Sequence, residues 1–125
     1  MNQPPILDHF ILNDLAEVAN GTDEGFLVEL WNSFSEMLER NLSNLYAAVA
    51  QENYDDIKAI AHTLKGSALN IGAARVAYWW RLMEKAAHQR DLQEVRSILQ
   101  LATTAIEQTR EEYQQWLRAQ QNGRA

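Results

Sequence analysis

The 125-residue sequence contains no cysteine, 2 prolines and 5 glycines. Without cysteine there is no disulfide, no thiolate zinc site and no Cys nucleophile. Both prolines, Pro4 and Pro5, precede Ile6, so no proline breaks a helix from there onward. Basic residues are scarce: Lys+Arg is 11 against 17 Asp+Glu, a formal net charge of −6. That balance argues against binding along a nucleic-acid backbone, which needs a basic face to displace counterions. It argues equally against an anionic membrane surface. No run approaches the roughly 20 apolar residues of a membrane span. The N-terminal MNQPPILDHF lacks the basic stretch and apolar run of a secretory signal. A cytoplasmic protein is the expectation.

What is present is helix-forming. The chain is 46% hydrophobic and 22% charged, as in folded globular domains. Its length suits one domain with a real core, needing no metal or disulfide. Ala, Leu, Glu, Gln and Arg abound while Thr and Val are sparse, and no alternating strand pattern or internal repeat is visible. Asn20-Gly21-Thr22, Glu52-Asn53-Tyr54, Gly72 and Gln89-Arg90-Asp91 divide the chain. Thr22 is a candidate N-cap, Asn53 with Asp56 and Asp91 with Glu94 have capping-box-like spacing, and Gly72 suits a helix stop.

Between these points the apolar period is helical. Ile6 to Ala19 reads as one short helix or two pieces, with Ile6, Leu7, Phe10, Ile11, Leu15 and Val18 apolar. Asp23–Gln51, Asp55–Ile71 and Ala74–His88 follow as helices. The last helix carries a seam stepping by three and four: Leu92, Val95, Leu99, Ala102, Ile106, Thr109, Tyr113 and Trp116. Two helices of about 28 residues and two shorter ones, joined by tight turns, give an all-α fold. It is an antiparallel up-down four-helix bundle with an accessory N-terminal helix. Residues 1–21 form the N-terminal cap segment, 22–119 the bundle and 120–125 a frayed tail.

On a helical wheel at about 100° per residue, Ile57, Ile60, Ala61, Leu64, Ala68 and Ile71 fall on one stripe. His62 falls on the opposite side, with Gly66, Leu69, Lys65, Lys58 and Asp55 around it. An exposed helical His is usually idle, a flanking Lys usually a solvated charge and one exposed Leu ordinary. A mid-helix Gly, however, costs about 1 kcal/mol against Ala. Taken together the group suits a phosphoryl acceptor. Imidazole is a nucleophile, Gly66 leaves room beside it, Lys65 or Lys58 offsets the arriving charge, and Leu69 offers a partner an apolar contact.

The stretch Ala61-His62-Thr63-Leu64-Lys65-Gly66-Ser67-Ala68-Leu69-Asn70-Ile71-Gly72-Ala73 closely resembles the signature of histidine-containing phosphotransfer (HPt) domains. Val76 through Leu82-Met83-Glu84-Lys85-Ala86 is similar to the family's next helix. The resemblance implies a four-helix bundle with an accessory N-terminal helix. It implies phosphorylation of His62 (at Nε2), assistance by Lys65 and steric access at Gly66. The partners it implies are response-regulator receiver domains, from whose aspartate the phosphoryl group arrives and to another of which it passes. It implies a carrier, not a kinase. The absence of a P-loop or Gly-rich nucleotide loop agrees, and no cofactor is expected. Some members place a Gln on the following helix near the active His. Here Arg81, Glu84 and His88 share that arc, and an ionised Glu cannot donate. The residues left open between these three, with Asp55, Lys58 and Leu69, form the candidate docking surface.

In the run Tyr78-Trp79-Trp80, core positions for both tryptophans and an outward Tyr78 are expected. Glu84 and His88 alone do not make a metal site, and Ser67 has no triad. The alternative to a carrier is a non-catalytic helical adaptor (a pseudo-HPt) that binds partner proteins through the same face. A start at Met1 followed by a capping segment favours a free-standing protein.

Overall fold

The computed structural model describes residues 3–20 and 25–122. These residues form five helices: α1 (His9–Asn20), α2 (Phe26–Ala50), α3 (Tyr54–Asn70), α4 (Ala74–His88) and α5 (Leu92–Asn122). Residues 51–53, 71–73 and 89–91 connect α2 to α5 in sequence. Connections this short turn successive helices antiparallel. α2 packs beside α3 and α5, and α4 beside the same two, closing a ring of four with α1 added against α2.

The starts of α3 and α5 are capped by side chains. Asn53 Oδ1 accepts from the Asp56 N–H at 3.1 Å while its Nδ2 donates to Asp56 Oδ2 at 2.8 Å. Asp91 Oδ1 accepts from the Glu94 N–H at 3.1 Å. Thr22 lies outside the described residues. The stops of α2, α3 and α4 share one geometry. At Gly72 (φ 78°) the Ala73 N–H reaches the Ala68 carbonyl at 2.8 Å and the Gly72 N–H the Leu69 carbonyl at 3.2 Å. This is a Schellman turn with glycine in the left-handed position. Glu52 (φ 53°) and Arg90 (φ 55°) hold the same position after α2 and α4, where an L-residue is strained.

The N-terminal segment departs from expectation. Helix begins at His9, not Ile6, because Asp8 Oδ1 accepts from the Phe10 N–H at 3.0 Å and caps it there. The Asp8 N–H donates to the Gly72 carbonyl at 2.7 Å, and Arg75 Nε to the Pro4 carbonyl at 3.0 Å. These bonds seat residues 4–8 on the α3–α4 turn. Within α1 the buried residues are Leu12 and Ala19, whereas Phe10 and Val18 are exposed. Ile11, Leu12, Leu15, Ala16 and Ala19 share one side of this helix, which faces inward, with Val18 at its edge and Phe10 out on the polar side.

The core lies inside the ring. Trp80, Leu45, Ile57, Met83, Val95 and Tyr113 have no exposed surface. The α3 stripe is buried as its period requires, with Ile60 half-buried. Along α5, Val95 through Tyr113 of the seam face inward, and Leu92 and Trp116 are half-buried. Trp31 stacks on Tyr113, ring centroids 4.5 Å apart. Trp79 and Trp80 are both core and Tyr78 half-buried. The longer helices have 25 and 31 residues, and α5 continues past the bundle end expected at residue 119. Among the described residues no helix is long and apolar enough to cross a membrane.

Candidate functional site

Burying Ile57, Ala61, Leu64 and Ala68 turns the other side of α3 outward. His62 stands there with its side chain 70% exposed. Apart from its chain neighbours and the backbone of its own helix, a Cβ added at Gly66 would meet no heavy atom of the described residues within 4 Å. The space beside the ring is therefore open to another molecule. Leu69, further along this face, is 53% exposed.

The facing helix contributes Glu84, whose side chain is 18% exposed. Its Oε2 lies 3.2 Å from His62 Nδ1, and its Oε1 2.8 Å from Lys65 Nζ. Burial pushes the Glu84 carboxyl up, but hydrogen bonds and charge from Lys65 and His62 outweigh it and hold the group below its ordinary value. An ionised carboxylate only accepts. The Nδ1 of His62 therefore carries the proton, and the lone pair of the neutral ring sits on Nε2.

The remaining residues of the arc are engaged elsewhere. His88 Nδ1 lies 3.2 Å from Lys58 Nζ. An ammonium only donates, so this histidine has the opposite tautomer, its lone pair on Nδ1 and occupied. The Arg81 guanidinium lies over the Tyr78 ring, 5.5 Å from its centroid. Of the three residues left open by the sequence, Glu84 is the one at the ring. It acts there as an acceptor, its side chain largely buried but still lining the depression around the ring.

His62 sits in a shallow depression lined also by Asp55, Lys58, Ala59, Thr63 and Glu84. Beyond Lys65 a second groove runs past Leu69, Ala77, Tyr78 and Arg81 to Pro4. Pro4 enters this surface only because residues 4–8 fold back on the α3–α4 turn, which no local sequence signal indicates. Among the described residues no group of three or more His, Asp or Glu side chains is placed to hold a metal ion.

The Hpt domain family model matches residues 29–119, and the chain belongs to this family. It is a histidine phosphotransfer protein of the phosphorelay type, one of a family of phosphoryl carriers. Similar solved structures include HptB from Pseudomonas aeruginosa PAO1, 23% identical with a TM-score of 0.77, covering 92% of this chain and 96% of that one. A putative histidine-containing phosphotransfer protein from rice is 20% identical with a TM-score of 0.82, covering 96% and 85%. MtHPt2 from Medicago truncatula is 25% identical with a TM-score of 0.81, covering 94% and 80%. No curated protein sequence matches.

Proposed function

We propose that His62 is the phosphoryl carrier of this protein, loaded by the aspartyl phosphate of a receiver domain and discharged to the aspartate of another. Nε2 attacks phosphorus, the bond to the aspartyl oxygen breaks, and that electron pair returns to the carboxylate. Lys65 offsets charge on the incoming group, Gly66 admits it, and Leu69 with Asp55, Lys58, Arg81 and His88 forms the docking face. The chain adds a positioned nucleophile without an ATP or metal site of its own, so placement supplies most of its contribution. It acts in the cytoplasm, where receiver domains work.

The observation that carries this reading is the exposed ring with Nδ1 committed to Glu84 at 3.2 Å. Of the paired histidines on this face, His62 keeps Nε2 as its free nucleophilic nitrogen. The test is transfer from a phosphorylated receiver domain to wild type and to His62→Gln. Acid-labile phosphate is expected on the wild type and lost in the variant. A variant that loads as well as the wild type overturns the assignment, and a wild type that takes up none from receivers or phosphoramidate leaves the adaptor.

A further inference from the structure

On the footing that His62 carries the phosphoryl group, we propose that Glu84 is a positioning residue for the discharge step. It holds the proton on Nδ1 of the phosphorylated ring and thereby sets the pH range over which the group is given away.

The chemistry of leaving requires that proton. On discharge the P–Nε2 bond breaks and its electron pair stays on Nε2, while phosphorus bonds to the acceptor oxygen. If Nδ1 bears hydrogen, the departing ring is neutral imidazole. If it does not, the departing ring is imidazolate, a far poorer leaving group. A ring phosphorylated on Nε2 and protonated on Nδ1 is cationic, so nearby charges decide how long the proton stays. Glu84 Oε2, 3.2 Å from Nδ1, both accepts from the proton and supplies the opposite charge.

The other charged groups facing the ring work mostly against the proton. α3 contributes Lys58 as a cation and Asp55 as an anion to the depression, with the Lys65 ammonium held against Glu84, while on α4 Arg81 lies over Tyr78 in the neighbouring groove and His88 is paired to Lys58. Every residue lining the depression comes from α3 or α4, and α2 adds none. Glu84 also restrains the cation nearest to it, with Lys65 Nζ at 2.8 Å from Oε1. Removing its charge takes away an anion and frees an ammonium, and both changes expel the ring proton.

Glu84→Gln separates this role from a structural one, because glutamine keeps the size and the accepting oxygen but not the charge. Full-length wild type, Glu84→Gln and Glu84→Asp, labelled with ¹⁵N-histidine, are loaded with phosphoramidate. Nδ1 protonation is then followed by NMR against pH, and phosphoryl loss is timed in parallel. The expected midpoint for Glu84→Gln is about 1 pH unit below wild type, as for loss of one close counter-charge. Above both midpoints its phosphoryl loss is then roughly tenfold slower. Glu84→Asp, which keeps the charge, recovers part of the shift. Coincident midpoints in wild type and Glu84→Gln overturn the role of Glu84 while leaving His62 as carrier. Wild type that gains no phosphoryl on His62 overturns the carrier assignment itself, and with it this one.

Discussion

Gly66 is the residue at which stability and function should move in opposite directions. It lies inside α3, and apart from its chain neighbours and the backbone of that helix a Cβ there meets no heavy atom of the described residues within 4 Å. Replacement by Ala removes the conformational penalty of glycine, about 0.8–1.0 kcal/mol in an exposed helix, and Leu is nearly as good a helix former. With an unfolding entropy near 2.1 cal/mol/K per residue, a domain of this size gains roughly 4 °C in Tm per 1 kcal/mol. Both variants should therefore melt about 3–4 °C higher. Transfer should separate them. A helical side chain leans toward the N-terminus and covers the turn before its own Cα, so the isobutyl group introduced by Gly66→Leu would lie over His62. A methyl adds little there, whereas the larger group fills the space for the phosphoryl group and its donor. Misplacement by about 1 Å costs on the order of 100-fold. The expectation is near-normal transfer for Gly66→Ala and a loss on that order for Gly66→Leu. Phosphoryl transfer from a receiver domain and thermal unfolding by circular dichroism give both readouts on the same samples. A wild-type transfer rate in Gly66→Leu refutes the access argument, and a lower Tm in Gly66→Ala refutes the open-space argument.

Lys65→Ala should slow loading of His62 by roughly 10- to 100-fold, the worth of a hydrogen bond to a charged group at about 1.5–3 kcal/mol, measured by rapid-quench transfer. Glu52→Gly relieves a left-handed L-residue (φ 53°) and should raise stability by about 0.5–1 kcal/mol in urea unfolding. Arg90→Gly should gain less, since it gives up a guanidinium 5.6 Å from the Tyr54 ring. Burial pushes the Tyr113 phenol up to about 12 from 10.0. The raised value means its contribution is fully present below about pH 10 and lost as pH climbs toward 12, at roughly 1.4 kcal/mol per pH unit. Its hydroxyl has no hydrogen-bond partner among the described residues. Tyr113→Phe should thus be neutral or stabilising at pH 7 and should flatten the alkaline decline. A large destabilisation at pH 7 would contradict this.

The elements whose causes are local were legible before any coordinates. The caps at Asn53 and Asp91, the stop at Gly72 and the α5 seam each depend on residues within a turn or two of one another. The outward placement of His62 follows from the α3 stripe in the same way, because burying Ile57, Ala61, Leu64 and Ala68 leaves that position no other direction. The start of α1 was less legible, since Ile6 and Leu7 continue its apolar run and only the Asp8 cap and the bonds of Asp8 to Gly72 and of Arg75 to Pro4 set residues 4–8 apart from the helix.

Helical period alone placed a nucleophile, a lysine and a gap on one side of α3. Which group of α4 meets that nucleophile was beyond it. Arg81, Glu84 and His88 share an arc, and the choice among them depends on the depth to which Trp79, Trp80 and Met83 sink α4 against its neighbours. Tertiary packing sets Glu84 against the ring and sends His88 to Lys58. The two histidines thereby take opposite tautomers, a difference decided by contacts more than 20 residues apart in the chain.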